Sequence, residues 1–167
     1  MNAPVHACIG LGANLGDAAG AVRASFAALD ALPGSRLLAR SRLYRTPAWG
    51  RTDQPDFINA AAVLETVLTP QALLQALLEI ERGAGRSRDG DAARWGPRVL
   101  DLDLLLYADQ VLDEPGLQLP HPYLHARAFV LVPLAEIAPA ALIPGHGSVA
   151  AALAAVDASG VEPLPAA

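Results

Sequence analysis

The sequence predicts an α+β fold in which helices pack on one antiparallel sheet. Stretches with strand character alternate with stretches of helical spacing in the order β-α-β-β-α-β. A capping residue precedes each of these helical stretches. The chain has 167 residues, of which 53% are hydrophobic and 17% are charged. This length and composition suit a single core, so we take residues 1–167 as one domain.

The first half of the chain supplies three predicted strands and one helix. Residues 5–11 form an apolar strand that ends in glycines, and residues 35–44 and 56–66 have strand composition. Asp17 occupies an N-cap position, and Pro33-Gly34 ends the helix that follows it. The large apolar residues of this helix recur at helical spacing: Val22, Phe26 and Leu29.

The second half completes the pattern with one helix and one strand. Thr69 and Pro70 suit the N-cap and first turn of a helix whose leucines recur up to Ile80. A loop rich in Gly, Arg and Asp covers residues 83–97, and an apolar strand over 99–107 follows it. We predict a hairpin turn over 107–111. The order βαββαβ predicts a ferredoxin-like sheet with its helices on one face.

Two further helices are predicted beyond this unit. The first covers residues 124–139 and is interrupted near Pro133. The second is capped by Ser148 and closed by Gly160. Residues 161–167 are predicted to be a frayed tail.

Composition excludes several classes of function. A net charge of −5 and a pI of about 5.2 argue against a nucleic-acid surface. No apolar run has the ~20 residues of a membrane span, and we find no signal peptide. A single cysteine, Cys8, fits a reducing compartment. We therefore expect a cytoplasmic monomer whose partners are small molecules, without a nucleic-acid or membrane partner.

All twelve basic residues are arginines, because the sequence contains no lysine. A Walker-type phosphate loop needs a lysine, as does a Schiff base, so both are excluded. A bound anion must therefore be held by arginine, by backbone N–H groups or by a metal ion.

Two carboxylates, Asp101 and Asp103, interrupt the apolar strand over 99–107. Residues two apart in a strand face the same side, with Cα atoms about 6.5 Å apart. Such a pair is tolerated if one carboxyl is protonated, if arginines neutralise both, or if cations bind between them. An ordinary solvated sheet face is the simplest alternative. Five arginines precede the pair, which favours Mg²⁺ and a polyphosphate: Arg82, Arg86, Arg88, Arg94 and Arg98.

The loop over 83–97 is long enough to suggest a function. Its glycines could act as hinges of a mobile lid that closes arginines over a phosphate chain. The alternative is a solubilising loop without a function in binding.

A second group of residues suggests a slot for a flat heterocycle. Trp49 lies in a loop bounded by prolines, and Phe57 and Asn59 point to one face of the next strand. An aromatic ring can stack on the heterocycle while an amide reads its edge. Trp95 could cover the other side. Alternatively, Phe57 is ordinary core and Asn59 an edge-strand polar residue.

A third group contains His121, His125 and Arg127. Its spacing does not match a zinc site. His121 lies between two prolines, where it could donate to a phosphate or carry a proton. A surface histidine in a turn is the alternative.

Taken together, these motifs resemble the 6-hydroxymethyl-7,8-dihydropterin pyrophosphokinase family of folate biosynthesis. The resemblance rests on five segments that span roughly residues 8–139: IGLGANLGD, LYRTPAWG…QPDFINAAAVLET, EIERGAGR, RWGPRVLDLDLLLY and LPHPYLHARAFVLVPLAEIAP. The most specific of these is RWGPRVLDLDLL after the helix that ends in EIERGAGR. This chain differs from some members at Trp49, Leu78 and Pro122, where they carry leucine, glutamine and tyrosine.

The resemblance implies pyrophosphate transfer from ATP to the hydroxymethyl group of the dihydropterin, with release of AMP. It also implies two Mg²⁺ ions and an α/β sandwich with mobile loops. The family's metal-binding aspartates fall on Asp101 and Asp103. Its ATP-contacting residues fall on Arg86, Arg98, His121 and Arg127, and the glutamate ending its second helix falls on Glu81. Its pterin pocket falls on Thr46, Pro47, Trp49, Phe57, Asn59, Trp95, Asp101 and Phe129.

We expect catalysis by positioning and electrostatics. Asp101 and Asp103 would hold the metal ions, while Arg86 and Arg98 would neutralise the migrating group. No general base is obvious from the sequence. Two alternatives stay open: a regulatory domain that binds a metabolite without turnover, and a two-metal phosphodiesterase.

Overall fold

The structure of the protein is a computed structural model that describes residues 3–47, 55–84 and 99–165. Its elements in chain order are β1 (Val5–Ala13), α1 (Ala18–Asp30), β2 (Ser35–Arg40), β3 (Tyr44–Thr46), β4 (Phe57–Thr66), α2 (Pro70–Gly83), β5 (Asp101–Tyr107), β6 (Leu112–Glu114), β7 (Leu117–Leu119), a 3₁₀ turn (Leu124–Ala126), α3 (Ala128–Ile137), β8 (Leu142–Ile143), β9 (Gly147–Ser148), α4 (Val149–Ala154) and β10 (Glu162–Pro163). None of the helices in the described part of the chain is both long and apolar enough to cross a membrane.

The main sheet confirms the predicted α+β class. Within the described residues it has six strands in the order β10-β3-β4-β1-β5, and β2 also pairs with β4. Every pairing in it is antiparallel. The order β2-β4-β1-β5 is that of a ferredoxin-like βαββαβ sheet, with β3 and β10 added beside β4. The central strand β1 lies between β4 and β5, and those three strands carry the candidate site.

Helices α1 and α2 cover one face of the sheet, which we call the α1/α2 face. Both begin where the sequence predicts, because the side chains of Asp17 and Thr69 accept hydrogen bonds from the N–H groups of Gly20 and Ala72. The core on this face combines residues of β1, β4 and β5 with residues of both helices, all nearly inaccessible to solvent: Ile9, Leu11, Leu64, Leu102, Leu104, Phe26, Leu29, Leu73 and Leu77.

The helices of the βαββαβ unit lie on one face as predicted, and the two helices beyond that unit pack on the other face. Helices α3 and α4 cover part of the opposite face, which we call the α3/α4 face, through Leu131, Leu134 and Val149. The strands are apolar on this side too, at Cys8 and Val63 among others, and a two-sided apolar sheet needs cover on both faces. Burial raises the pKa of the Cys8 thiol to about 12. Helices α3 and α4 leave part of the α3/α4 face uncovered.

A β-bulge changes the predicted alternation of β5. The pairing with β1 shifts between Cys8 and Ile9, so that Leu105 is the extra residue between the pairs Cys8–Leu106 and Ile9–Leu104. Leu106 therefore packs with Leu105 on the α3/α4 face and not with Leu104. The alternation before the bulge is as predicted, and it places Asp101 and Asp103 on the α3/α4 face.

Two predicted elements in the middle of the chain differ from the structure. The stretch 35–44 is two strands, because Ser41 leaves the ladder and its hydroxyl accepts a hydrogen bond from the Ala61 N–H at 2.9 Å. The turn over 107–111 does not make a hairpin with β5. Instead β6 pairs with β7 across Pro115-Gly116, where Gly116 has a φ of +76° that suits glycine.

The C-terminal predictions need three corrections. Helix α3 runs through Pro133, since a proline removes only one helical hydrogen bond and the neighbouring Leu131 and Leu134 are fully buried. Helix α4 ends at Ala154, well before Gly160. The predicted tail is partly ordered in the sheet, because β10 pairs with β3 through Glu162 and Pro163.

Candidate active site

The candidate site lies at the open end of the α3/α4 face, where β5 begins. Asp101 stands opposite Gly12 and Asp103 opposite Gly10 in the pairing of β5 with β1. Directly paired residues share a face, so neither aspartate has a side chain beside it on β1. Both carboxylates are partly exposed. Gly12 therefore leaves a bare strip of backbone beside Asp101, while beside Asp103 the Leu105 side chain lies 3.4 Å from where a Cβ on Gly10 would be.

The strip continues across the sheet to Asn59. Residues Asn59, Gly12 and Asp101 are in register across β4, β1 and β5. The amide of Asn59 donates to the hydroxyl oxygen of Thr46 at 2.9 Å, and its Oδ1 lies 3.0 Å from where a Cβ on Gly12 would be. Phe57 lies on the same face, opposite Thr46. The Asn59 amide and the Asp101 carboxylate thus lie on either side of Gly12, where any larger residue would fill the space between them.

Glu81 anchors β5 between the two aspartates. It is the last-turn residue of α2 that faces the core, and only 2% of it is exposed. Its Oε2 accepts a hydrogen bond from the Leu102 N–H at 2.7 Å. Because β5 is an edge strand of the described sheet, this N–H points away from β1 and needs such an acceptor. The glutamate therefore fixes the backbone from which both aspartates project.

His121 lies beside β5, at the same edge of the sheet. Its backbone N–H donates to the Leu105 carbonyl, and its Nε2 lies 3.8 Å from Oδ1 of Asp103. Burial lowers the pKa of His121, and the nearby Arg127 lowers it further, while the Pro122 carbonyl and Asp101 oppose this. The ring is therefore mainly neutral at pH 7, and the contact with Asp103 is too long for a hydrogen bond and weaker than an ion pair.

Arg127 precedes α3 and lies beside the histidine. Its guanidinium carbon is 5.6 Å from the centre of the Tyr123 ring and 5.9 Å from that of Phe129. Its backbone carbonyl accepts from the Val130 and Leu131 N–H groups at the start of the helix. The helix start thus fixes the backbone of a cation at the same end of the site as Asp103 and His121.

A cleft of about 630 Å³ opens next to Asp103 and His121. One wall is apolar and comes from Leu74, Leu102 and Leu104, and the β6–β7 hairpin forms the opposite side. The volume suits a small-molecule ligand. The β6–β7 hairpin is not among the predicted elements, although Pro115-Gly116 between two short apolar stretches is a recognisable turn signal.

A hydrogen-bonded cluster beside the site was also missed. Tyr44, opposite Asn59 in the pairing of β3 with β4, donates from its hydroxyl to Oε1 of Glu136 at 2.5 Å. The same carboxylate accepts from the Arg42 N–H. Burial and the hydrogen bond to Glu136 raise the pKa of Tyr44. Helix α3 is thereby tied to the strand that carries Thr46. The residues are far apart in sequence, so no local pattern reveals the contact.

The structure brings together most of the predicted site residues that it describes. Thr46 contacts Asn59, Asp101 is in register with Asn59, Asp103 adjoins His121, and Arg127 adjoins Phe129. Pro47 directly follows Thr46 at the end of β3. Four predicted residues lie outside the described residues, as does most of the predicted lid: Trp49, Arg86, Trp95 and Arg98.

Comparison with known proteins identifies the family. Residues 8–139 match the model of the family described as 7,8-dihydro-6-hydroxymethylpterin-pyrophosphokinase (HPPK). The 2-amino-4-hydroxy-6-hydroxymethyldihydropteridine pyrophosphokinase of Methylorubrum extorquens is 50% identical over 94% of this chain and 97% of its own. The enzyme of the same name from Pseudomonas aeruginosa is 46% identical over 94% and 95%.

A solved structure supports the fold. The wild-type HPPK-DHPS of Plasmodium falciparum superimposes with a TM-score of 0.70 at 14% identity, over 93% of this chain. The chain spans 45% of that longer protein. The family model and these relatives define a pyrophosphokinase, that is, a transferase of diphosphate groups. The chain belongs to the 7,8-dihydro-6-hydroxymethylpterin-pyrophosphokinase family.

Proposed function

We propose that the protein transfers the β- and γ-phosphates of ATP, as one diphosphate group, to the hydroxymethyl oxygen of 6-hydroxymethyl-7,8-dihydropterin. The bond between the β-phosphorus and the α–β bridging oxygen breaks, and AMP leaves. The observation that carries the proposal is the bare strip between Asn59 and Asp101, which ends at the carboxylate pair, whose second member, Asp103, lines the cleft. We propose that this reaction serves folate biosynthesis in a cytoplasmic monomer.

The strip is the proposed place of the pterin ring. A flat heterocycle above Gly12 would have the Oδ1 of Asn59 on one side as a hydrogen-bond acceptor. Because the Asn59 amide N–H is held by Thr46, the carbonyl oxygen keeps its direction. Phe57 and Phe129 would stack on the ring, with Pro47, Trp49 and Trp95 completing the pocket. The edge toward β5 would place the hydroxymethyl group beside Asp101.

The carboxylate pair is the proposed site of Mg²⁺. The donor set fits, because Asp101 and Asp103 offer hard oxygen ligands, and Gly12 opposite Asp101 leaves space for phosphate oxygens and water to complete the coordination. Asp101 and Asp103 would hold two ions. When bound, Mg²⁺ supplies charge neutralisation and activation of the attacking hydroxyl.

The cleft is the proposed nucleotide site. Its apolar wall of Leu74, Leu102 and Leu104 suits a purine base, and Asp103 and His121 line the same cleft. The single N–H of a neutral His121 is on Nδ1 and donates to the Pro122 carbonyl, so His121 would bind a phosphate oxygen through Nε2 only when it is protonated, whereas Arg127 brings a permanent charge. We assign the remaining phosphate contacts to Arg86 and Arg98.

A single assay tests the proposal. The purified protein is mixed with ATP, Mg²⁺ and 6-hydroxymethyl-7,8-dihydropterin, and the nucleotide products are separated by chromatography. We expect one AMP for each dihydropterin consumed, and no AMP when either Mg²⁺ or the pterin is omitted. Release of ADP would instead show transfer of a single phosphate and would reject the proposed reaction.

Adding a methyl group at Gly12 should damage pterin binding selectively. In Gly12→Ala the new Cβ would lie 3.0 Å from Oδ1 of Asn59, which must move. Losing one well-aligned hydrogen bond corresponds to about a tenfold rise in the KM for the dihydropterin. The KM for ATP should stay unchanged. Steady-state kinetics with each substrate varied in turn measures both.

The matched control is Gly83→Ala, because a Cβ at Gly83 would meet no atom within 4 Å. It should leave the KM for the dihydropterin as in the wild type. Equal values of this KM in Gly12→Ala and the wild type would place the pterin elsewhere.

A further inference from the structure

The side chain of Arg127 lies against two aromatic rings. Its guanidinium carbon is 5.6 Å from the centre of the Tyr123 ring and 5.9 Å from that of Phe129, both within the range of a cation–π contact. An aromatic ring attracts the charge of a guanidinium without taking up its N–H groups as a carboxylate does. Those N–H groups are the ones that bind carboxylate or phosphate oxygens.

Tyr123 has an unusual backbone for an aromatic residue. Its φ is +64° and its ψ is +6°, in the left-handed region that bulky residues rarely adopt. The residue precedes the 3₁₀ turn, where Leu124 is buried while Tyr123 itself is 65% exposed. Burial of the ring therefore does not account for a tyrosine here. Glycine or asparagine would suit this backbone better.

A strained and exposed aromatic residue next to a binding site is a candidate for function. The two residues before it, His121 and Pro122, line the cleft. The left-handed turn thus places the Tyr123 ring against the same arginine that contacts Phe129.

We propose that Tyr123 is a positioning residue, which holds the guanidinium of Arg127 in the orientation that binds the phosphates of ATP. This inference rests on the proposed function, since it needs a nucleotide in the cleft. An arginine side chain that is already ordered loses less conformational entropy when it binds its ligand. Tyr123 therefore contributes to ATP affinity through Arg127 and does not itself contact the reacting atoms.

Two variants of Tyr123 distinguish the effect of its aromatic ring on ATP affinity from the effect of its backbone conformation. Tyr123→Asn keeps a residue that tolerates the left-handed region but removes the ring. Tyr123→Phe keeps the ring but removes the hydroxyl. We expect Tyr123→Asn to weaken binding of Mg²⁺ and a non-hydrolysable ATP analogue about two- to fivefold, which is the usual range of an exposed cation–π contact. The KM for ATP should rise equally, with kcat and the KM for the dihydropterin unchanged.

Two further measurements exclude a merely structural role. The thermal unfolding midpoint of Tyr123→Asn should not fall, because the strained residue is gone. In an Arg127→Gln background, where the cation is missing, Tyr123→Asn should have no further effect on ATP affinity. Tyr123→Phe should match the wild type in all of these measurements.

Three results would overturn the inference: unchanged ATP affinity in Tyr123→Asn, the same loss in the Arg127→Gln background, or a loss in Tyr123→Phe equal to that in Tyr123→Asn. The last would show that the hydroxyl contacts the nucleotide directly. Failure of the wild type to release AMP is a separate result that rejects the proposed reaction. Titration of the ATP analogue into the wild type and the variants still decides the role of Tyr123 in that case.

Discussion

Asp103→Asn and Asp101→Asn should each lower kcat by about 10³-fold. Asparagine has the same shape as aspartate but lacks the charge that would hold Mg²⁺ in the proposed site, and the neutralisation of phosphate charge by a metal ion is worth several kcal/mol in the transition state. A loss of about 4 kcal/mol corresponds to a thousandfold in rate. Binding of the dihydropterin should change much less, because Asn59 and the stacking rings lie on the other side of the strip.

The measurement is single-turnover AMP formation at saturating ATP and several Mg²⁺ concentrations, together with a binding titration of the dihydropterin. Asp109→Asn is the matched control, because Asp109 is an exposed aspartate in the turn that follows β5. It should have wild-type activity. Normal turnover in Asp103→Asn would show that the carboxylate pair is a solvated surface feature, and the metal assignment would be withdrawn.

The part of the site that could be predicted from sequence is the part encoded by local patterns. The period of two in β5 places Asp101 and Asp103 on one face, and the same rule places Phe57 and Asn59 together. The caps of α1 and α2 could be predicted for the same reason, since each depends on residues three positions apart.

What could not be predicted depends on how distant segments pair. The bulge at Leu105 arises from the register of β5 against β1, and the composition of β5 alone contains no signal for it. The bond between Tyr44 and Glu136 joins residues 92 positions apart. The short β10 strand exists because β3 leaves an edge open to it, not because Glu162 and Pro163 favour a strand.

The role of the glycines near the start of the chain also required the structure. In sequence, Gly10 and Gly12 indicate only the end of a strand. Register shows that they lie opposite Asp103 and Asp101, where a Cβ on Gly10 would meet Leu105 and a Cβ on Gly12 would meet Oδ1 of Asn59. The bare strip is therefore due to Gly12 on β1, and the polar side chains that flank it, Asn59 and Asp101, come from β4 and β5.

Glu81→Ala should lower the free energy of unfolding by about 3 kcal/mol. The substitution leaves the Leu102 N–H without its acceptor in a buried place, which costs about 1–3 kcal/mol, and it opens a cavity at the end of α2. Glu81→Gln keeps an acceptor oxygen of the same reach and should cost about 1 kcal/mol. Urea unfolding followed by circular dichroism measures both values, and Glu79→Ala, on the exposed side of the same helix, serves as the control.

The same substitution should lower turnover in the protein that remains folded. Leu102 lies between Asp101 and Asp103, so an edge strand that has lost its anchor holds both carboxylates less firmly, and a displacement of about 1 Å can cost a hundredfold in rate. Activity is therefore measured well below the unfolding midpoint of each variant. If Glu81→Ala proves as stable and as active as Glu79→Ala, then β5 is positioned by its pairing with β1 alone, and the glutamate at the end of α2 has no part in aligning the metal ligands.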